Sequence, residues 1–486
     1  MHRLLITASV LAMAVSGYAA APTYKVSPEN GADNVNPDTR LSIIFESEPT
    51  IGSSGMIRIF DAETDALVDS LDMSIPAGPT ERTTLPKAPY TLTPYLYDGP
   101  RLTNADVPAG TPSGTAARDT SSYQLNIIGG FTDGFHFYPV IVHGNRAEIY
   151  PHNNLLQCGR EYYVTVDPQV LTPAKGRFKG ITKKDGWRFT TRPERPDLLK
   201  TRRITVAADG SGDFNTVQGA IDLVPDNSKE PFTIFIKDGD YEEIVYFRNK
   251  SNLTIEGQSR EGVFVHYANN EVFNPHPADV STNEWLGTFP SRRGAFTVDH
   301  CTDVTLKNFT VATTVTGQAE GLLVNGNRTR LEGLTILGSG DALQANGPTY
   351  LLNCRIEGHG DTVLGRGPCF FQSCTLVSRG PFAWIRNTSA NHGDVFVDCT
   401  FIDDGNGTSV FARTNSQYPN CEFVMIDCRV DGVSPKGWSG LDRFEPTYVH
   451  YWEYNTTNLK DGTPADVSQR AAGSRQLTMP ADRAII

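Results

Sequence analysis

Leu352-Asn353-Cys354-Arg355-Ile356, Gln372-Ser373-Cys374-Thr375-Leu376, Val397-Asp398-Cys399-Thr400-Phe401 and Ile426-Asp427-Cys428-Arg429-Val430 are four versions of one phrase. Each puts a small polar residue ahead of a cysteine and an apolar residue two places after it. Phe309 and Leu334 extend the cysteine slot upstream, so it recurs at intervals of 25, 20, 20, 25 and 29 residues. A period in the twenties, built of short β-type runs and Gly-rich corners, marks a solenoid. Without helical periodicity inside the repeats, the natural arrangement is an all-β, parallel β-helix whose coils stack about 4.8 Å apart. A leucine-rich horseshoe would demand a tighter Leu/Asn pattern, which is absent. A thiol in such a slot acts as a small buried hydrophobe. The eight cysteines therefore do not read as a disulfide framework, although a bridge from Cys369 to a neighbour stays open. No Cys-x-x-Cys pair occurs, which argues against a zinc knuckle.

Upstream of the repeats, Val217, Ala220, Ile221 and Val224 form one apolar helical face ending at Pro225, placed to cap the solenoid's open end. Arg192-Pro193-Glu194-Arg195-Pro196-Asp197 reads as a stiff, charged linker. It divides residues 22–195 from a second unit, 196–486, expected to fold and act alone. In the first unit Leu41, Ile43 and Phe45 alternate with polar residues, and Ile57, Ile59 and Tyr163 to Val166 continue the pattern. Short alternating strands between Gly, Pro and Asn clusters suit a β-sandwich. Ser27-Pro28-Glu29-Asn30-Gly31-Ala32 and Val35-Asn36-Pro37-Asp38-Thr39 resemble the bacterial Ig-like modules attached to surface and secreted enzymes; a plain spacer is the preferred reading and carbohydrate binding the alternative. Residues 1–21 read as a signal peptide: Arg3, an apolar run from Leu4 to Val15, then Tyr18-Ala19-Ala20-Ala21. A secreted or periplasmic protein without a membrane span is expected. The net charge of -12 over 486 residues argues against a nucleic-acid binder, yet a local Arg cluster could still hold an anion.

The repeat phase selects two acids. Asp341 lies seven residues after Leu334 and Asp361 seven after Cys354, so they fall at one point on adjacent coils. Like charges one strand spacing apart are costly unless a proton or cation intervenes. Gly340-Asp341 and Gly360-Asp361 can also be read as two solvated turns, and spacing alone leaves both readings open.

Ile204-Thr205-Val206-Ala207-Ala208-Asp209-Gly210-Ser211-Gly212-Asp213-Phe214 resembles the opening of pectin methylesterases. Asp240-Tyr241-Glu242-Glu243-Ile244-Val245, Gly437-Trp438, Glu453-Tyr454-Asn455 and Ser474-Arg475-Gln476-Leu477-Thr478 continue the likeness. The resemblance implies a right-handed parallel β-helix, single-stranded and pectin-lyase-like. It implies Asp361 as nucleophile, Asp341 as general acid/base, Gln318 as oxyanion or substrate donor, and Arg413 as the nucleophile's partner, with Arg386 as the alternative arginine. Gln344, Arg366, Arg386 and Trp438 are the candidate substrate-binding residues. Gly340 stands where typical members carry a second glutamine, and Gln344, Leu364 and Asn415 stand where they carry aromatics.

The implied chemistry is covalent hydrolysis of methyl-esterified galacturonate in pectin, or homogalacturonan, by a monomer without metal or organic cofactor. No Gly-x-Ser-x-Gly, His-Glu-x-x-His or P-loop offers a competing reaction. The rival is a non-catalytic β-helix that binds acidic polysaccharide, suggested by the missing glutamine and aromatics.

Overall fold

The computed structural model describes residues 24–81, 122–275, 292–414, 418–440, 449–478 and 482. The signal-peptide segment and Asn415 lie outside the described residues.

From Arg203 onward the chain winds as a parallel β-helix with three faces. One carries Leu322–Asn327, Leu343–Ala345, Val363–Gly365 and Ala383–Ile385, and the next carries Thr329–Glu332, Thr349–Leu352 and Cys369–Gln372. The third carries Thr335–Leu337, Arg355–Glu357, Thr375–Ser378 and Thr400–Asp403. The repeated phrase is the corner between the second and third faces. Its small polar residue takes a left-handed conformation at Asn308, Asn353, Ser373, Asp398 and Asp427. Asn and Asp tolerate that region better than most side chains, which explains their recurrence. The following residue drops into the core: Phe309, Leu334, Cys354, Cys374, Cys399 and Cys428 are at most 2% exposed. The thiols stack, with Cys354 N 3.4 Å from Cys374 Sγ and Cys374 N 3.4 Å from Cys399 Sγ. All eight cysteines are free, so Cys369 forms no bridge.

The expected cap is a helix over Val217–Leu223, with Val217, Ala220 and Ile221 wholly buried. Its free N–H groups are satisfied by side chains: Thr216 Oγ1 accepts from Gly219 N at 3.0 Å, and Glu243 accepts from Val217 N and Gln218 N at 2.9 and 3.0 Å.

The first unit is a sandwich of a four-stranded and a five-stranded sheet around its own core, which includes Leu41, Ile43, Ile57, Ile59, Val164 and Phe189. It does not hang from a free linker. Ile128 and Phe135 share an apolar cluster with Ile244, Tyr246, Tyr267 and Phe273 of the solenoid. Asp38 Oδ2 accepts from Asn215 N and Thr216 N at 2.9 and 2.7 Å, reaching the cap helix. Tyr150 and His143 both bond Glu242 Oε2, at 2.9 and 2.7 Å. Arg192, inside the expected linker, donates to Asn36 Oδ1 and Asp213 O. The expected independence of the second unit meets an interface that is apolar at its centre and tied by charged groups.

Candidate active site

In-register stacking builds the site. Leu322 pairs with Leu343 and Leu343 with Val363 on successive coils. Asp341 and Asp361 each stand two residues ahead of that paired position, so their sequence interval of 20 becomes a neighbour relation in space. Glu320 stands two residues ahead of Leu322 and joins them. The column therefore holds three carboxylates where sequence spacing indicated two.

Asp361 adopts a left-handed backbone, φ 47°. Arg413 grips both its oxygens, Nε to Oδ1 at 2.7 Å and Nη2 to Oδ2 at 2.5 Å. Such a two-point, charge-assisted contact fixes the plane of the carboxylate. Gly365 closes the Asp361-Thr362-Val363-Leu364-Gly365 turn-and-strand at φ 153°. A Cβ there would lie 1.8 Å from Ala345 O, so only glycine lets the two coils approach.

Asp341 is 7% exposed, and its Oδ2 accepts from Arg293 Nη2 at 3.1 Å. Burial pushes its carboxyl up to about 7. Arg293 and Arg386 oppose that rise, while Glu320 and Asp361 add to it. Arg293 also makes three contacts with Glu320, at 2.6, 2.8 and 2.8 Å, and one with Glu271 Oε2 at 2.6 Å. Sequence reading missed both Arg293 and Glu320. Arg293 precedes the repeats it serves, and Glu320 lies 21 residues before Asp341, off the interval of 20 that ties the two aspartates.

Trp384 was missed as well. The outward ladder runs Gln344, Leu364, Trp384 in register. The aromatic absent from the first two positions thus stands one coil further on, 20 residues after Leu364, where the repeat interval could have found it. Arg386 and Arg413 lie against its ring, Cζ to centroid 3.8 and 3.9 Å.

The remaining predicted residues divide. Gln344 is buried with Oε1 3.5 Å from Arg293 Nη2. Arg366 and Arg386 are buried beside Tyr418, at 5.7 and 6.0 Å from its ring centroid, and are not solvated surface charges. Gln318 is exposed on the rim, where its backbone carbonyl accepts from Glu271 N at 3.0 Å. Gly340 takes a left-handed φ of 78°, and a Cβ there would lie 3.3 Å from Gly317 O, so a side chain at this position would be strained. Trp438 requires correction. It is 0% exposed, stacked on Tyr451 at 5.7 Å and packed on Phe411 at 5.4 Å, so it is a core residue that no polysaccharide can reach.

Comparison with known proteins identifies the family. The Pectinesterase family profile matches residues 203–477. Pectinesterase QRT1 of Arabidopsis thaliana is 28% identical over 320 residues, covering 62% of this chain and 80% of that protein. A match to pectinesterase/pectinesterase inhibitor 42 of the same plant is 32% identical over 148 residues, 30% of this chain, and spans only 26% of that relative's length. Among solved structures, the pectin methylesterase from carrot aligns with a TM-score of 0.49 at 21% identity, covering 60% of this chain and 92% of that one. With a family match across more than half of its length, the chain belongs to the pectinesterase family.

Proposed function

We propose that the protein removes methyl groups from esterified galacturonate in pectin, releasing methanol. The observation that carries this reading is a carboxylate held at two points by Arg413, one coil from a buried carboxyl that keeps its proton to about pH 7. The first group is equipped to attack and the second to protonate. Asp361 adds to the ester carbonyl carbon, and the charge that develops on the carbonyl oxygen faces Gln318 and the surrounding donors. As the C–O bond to the methoxy group breaks, Asp341 gives its proton to the departing oxygen, leaving methanol and an acyl-Asp361 anhydride. Asp341, now a carboxylate, takes a proton from water as the water attacks that acyl carbon. Asp361 is released and Asp341 is again protonated. Trp384 is stacked between the guanidinium groups of Arg386 and Arg413, and Arg366 and Arg386 add positive charge for the free carboxylates of the polymer.

Residues 22–195 are proposed as an Ig-like unit that braces the helix, and residues 1–21 as an export signal on a secreted or periplasmic monomer. Among the described residues no helix is long and apolar enough to cross a membrane. The test is methanol release from highly methylated pectin by the parent and by Asp361→Asn. Release by the parent and none by the variant is expected. Equal release from both, or none from the parent, overturns the reading.

A further inference from the structure

Glu320 is wholly buried at the top of the carboxylate column, in a position where a lone charge would be expensive. Arg293 compensates it and reaches past it to Asp341. The groups facing Asp341 are Arg293 and Glu320 from the turns that lead into Phe296–Lys307 and Leu322–Asn327, Asp361 from the next coil, itself bound by Arg413, and Arg386 beyond. Glu271 completes the set by taking the other arm of Arg293. Asp341 is thus the middle member of three stacked carboxyls, with a guanidinium bound at each end of the column.

We propose that Arg293 and Glu320 are a positioning pair that decides which oxygen of Asp341 carries the catalytic proton and keeps it there. The inference rests on the esterase reading above. A guanidinium can only donate, so Oδ2, which accepts from Arg293, cannot direct a proton at it. The proton of neutral Asp341 is therefore carried on Oδ1, the oxygen left for the departing methoxy group. An arginine alone at this distance would also pull Asp341 toward ionisation and waste it as an acid. Glu320 opposes that pull and adds to the effect of burial. One residue sets the orientation of the acid, and the other helps burial to preserve its proton. The pair makes no claim on substrate and acts only through Asp341.

The two halves predict opposite shifts. Glu320→Gln, which is isosteric, leaves the Arg293 charge to Glu271 and Asp341 alone, so the alkaline limb of methanol release moves to lower pH by about one unit or more. Arg293→Gln removes the attraction and moves the limb up, with a fall in kcat from the lost orientation. Arg293→Lys restores the limb but not kcat, since an ammonium lacks the planar fork. The double variant Arg293→Gln/Glu320→Gln removes both buried charges together and leaves only the partly exposed Glu271 without its arginine, so it remains informative if a single variant misfolds, and its limb lies between those of the singles. Infrared titration of the carboxyl band lost in Asp341→Asn follows the same proton without turnover, which separates failure here from failure of the esterase reading. Opposite displacements by either readout support the pair. Coincident limbs in parent, single and double variants, or displacements of one sign, overturn it.

Discussion

The Arg413 guanidinium carbon stands 3.9 Å over the ring of Trp384 while the same side chain holds both oxygens of Asp361. The indole is thus the platform that fixes the arginine partner of the proposed nucleophile. Cation–π contacts of this kind contribute about 0.5–2 kcal/mol. Trp384→Ala should therefore lower kcat/KM by roughly two- to thirtyfold, with Trp384→Phe intermediate. Steady-state methanol release measures this. Parental kinetics in the Ala variant would show that Asp361 alone positions Arg413.

The proton on Asp341 gives a pH dependence with a definite sign. Its carboxyl is raised, chiefly by burial, from 3.8 to about 7, so the acid form fails as pH climbs through about 7 and kcat falls with it. Stability follows the same proton. The folded state binds it more tightly than the unfolded chain, so this contribution is complete below the unfolded value and is lost as pH rises through about 7. Urea midpoints at pH 5 and pH 8 should drop further in the parent than in Asp341→Asn. An identical drop in both would place the titration elsewhere.

Gln318 and Gly340 make a third case. With no side chain at Gly340, Gln318 is the donor proposed for the oxyanion, and losing such a donor typically costs about a hundredfold in kcat. Gln318→Ala should depress kcat by about that factor and KM little. Unchanged turnover would remove Gln318 from the mechanism.

A fragment beginning at residue 197 should express as insoluble or partly unfolded protein. Tyr246 and Phe273 would lose the cover of Ile128 and Phe135, and the cap helix would lose Asp38. Each apolar side chain so uncovered forfeits about 1.5–3 kcal/mol at most. A soluble fragment with the parental melting temperature would show the interface to be dispensable.

How much was legible follows from which information is local. The corner phrase was readable because a left-handed Asn or Asp followed by a buried thiol is set by neighbouring residues and repeats with the coil. The Asp341–Asp361 pair was readable because two coils of equal length separate equivalent points equally. Glu320 was not, because its coil is one residue longer, 21 against 20, and stacking absorbs the difference in a turn.

Sequence by itself determined the parallel β-helix, its cap and the two aspartates, since these depend on periodicity and on short phrases. Tertiary structure alone decided that Arg293 sits among Glu271, Glu320 and Asp341, 48 residues upstream of the acid it orients. It alone decided that Trp438 faces inward while Trp384 faces out, since two tryptophans on short strands differ only in which side of the strand they occupy. It alone joined the N-terminal sandwich to the solenoid, where a Pro-rich stretch suggested separation. Contacts between distant segments depend on which surfaces meet when coils and sheets pack, and neither spacing nor composition encodes that meeting.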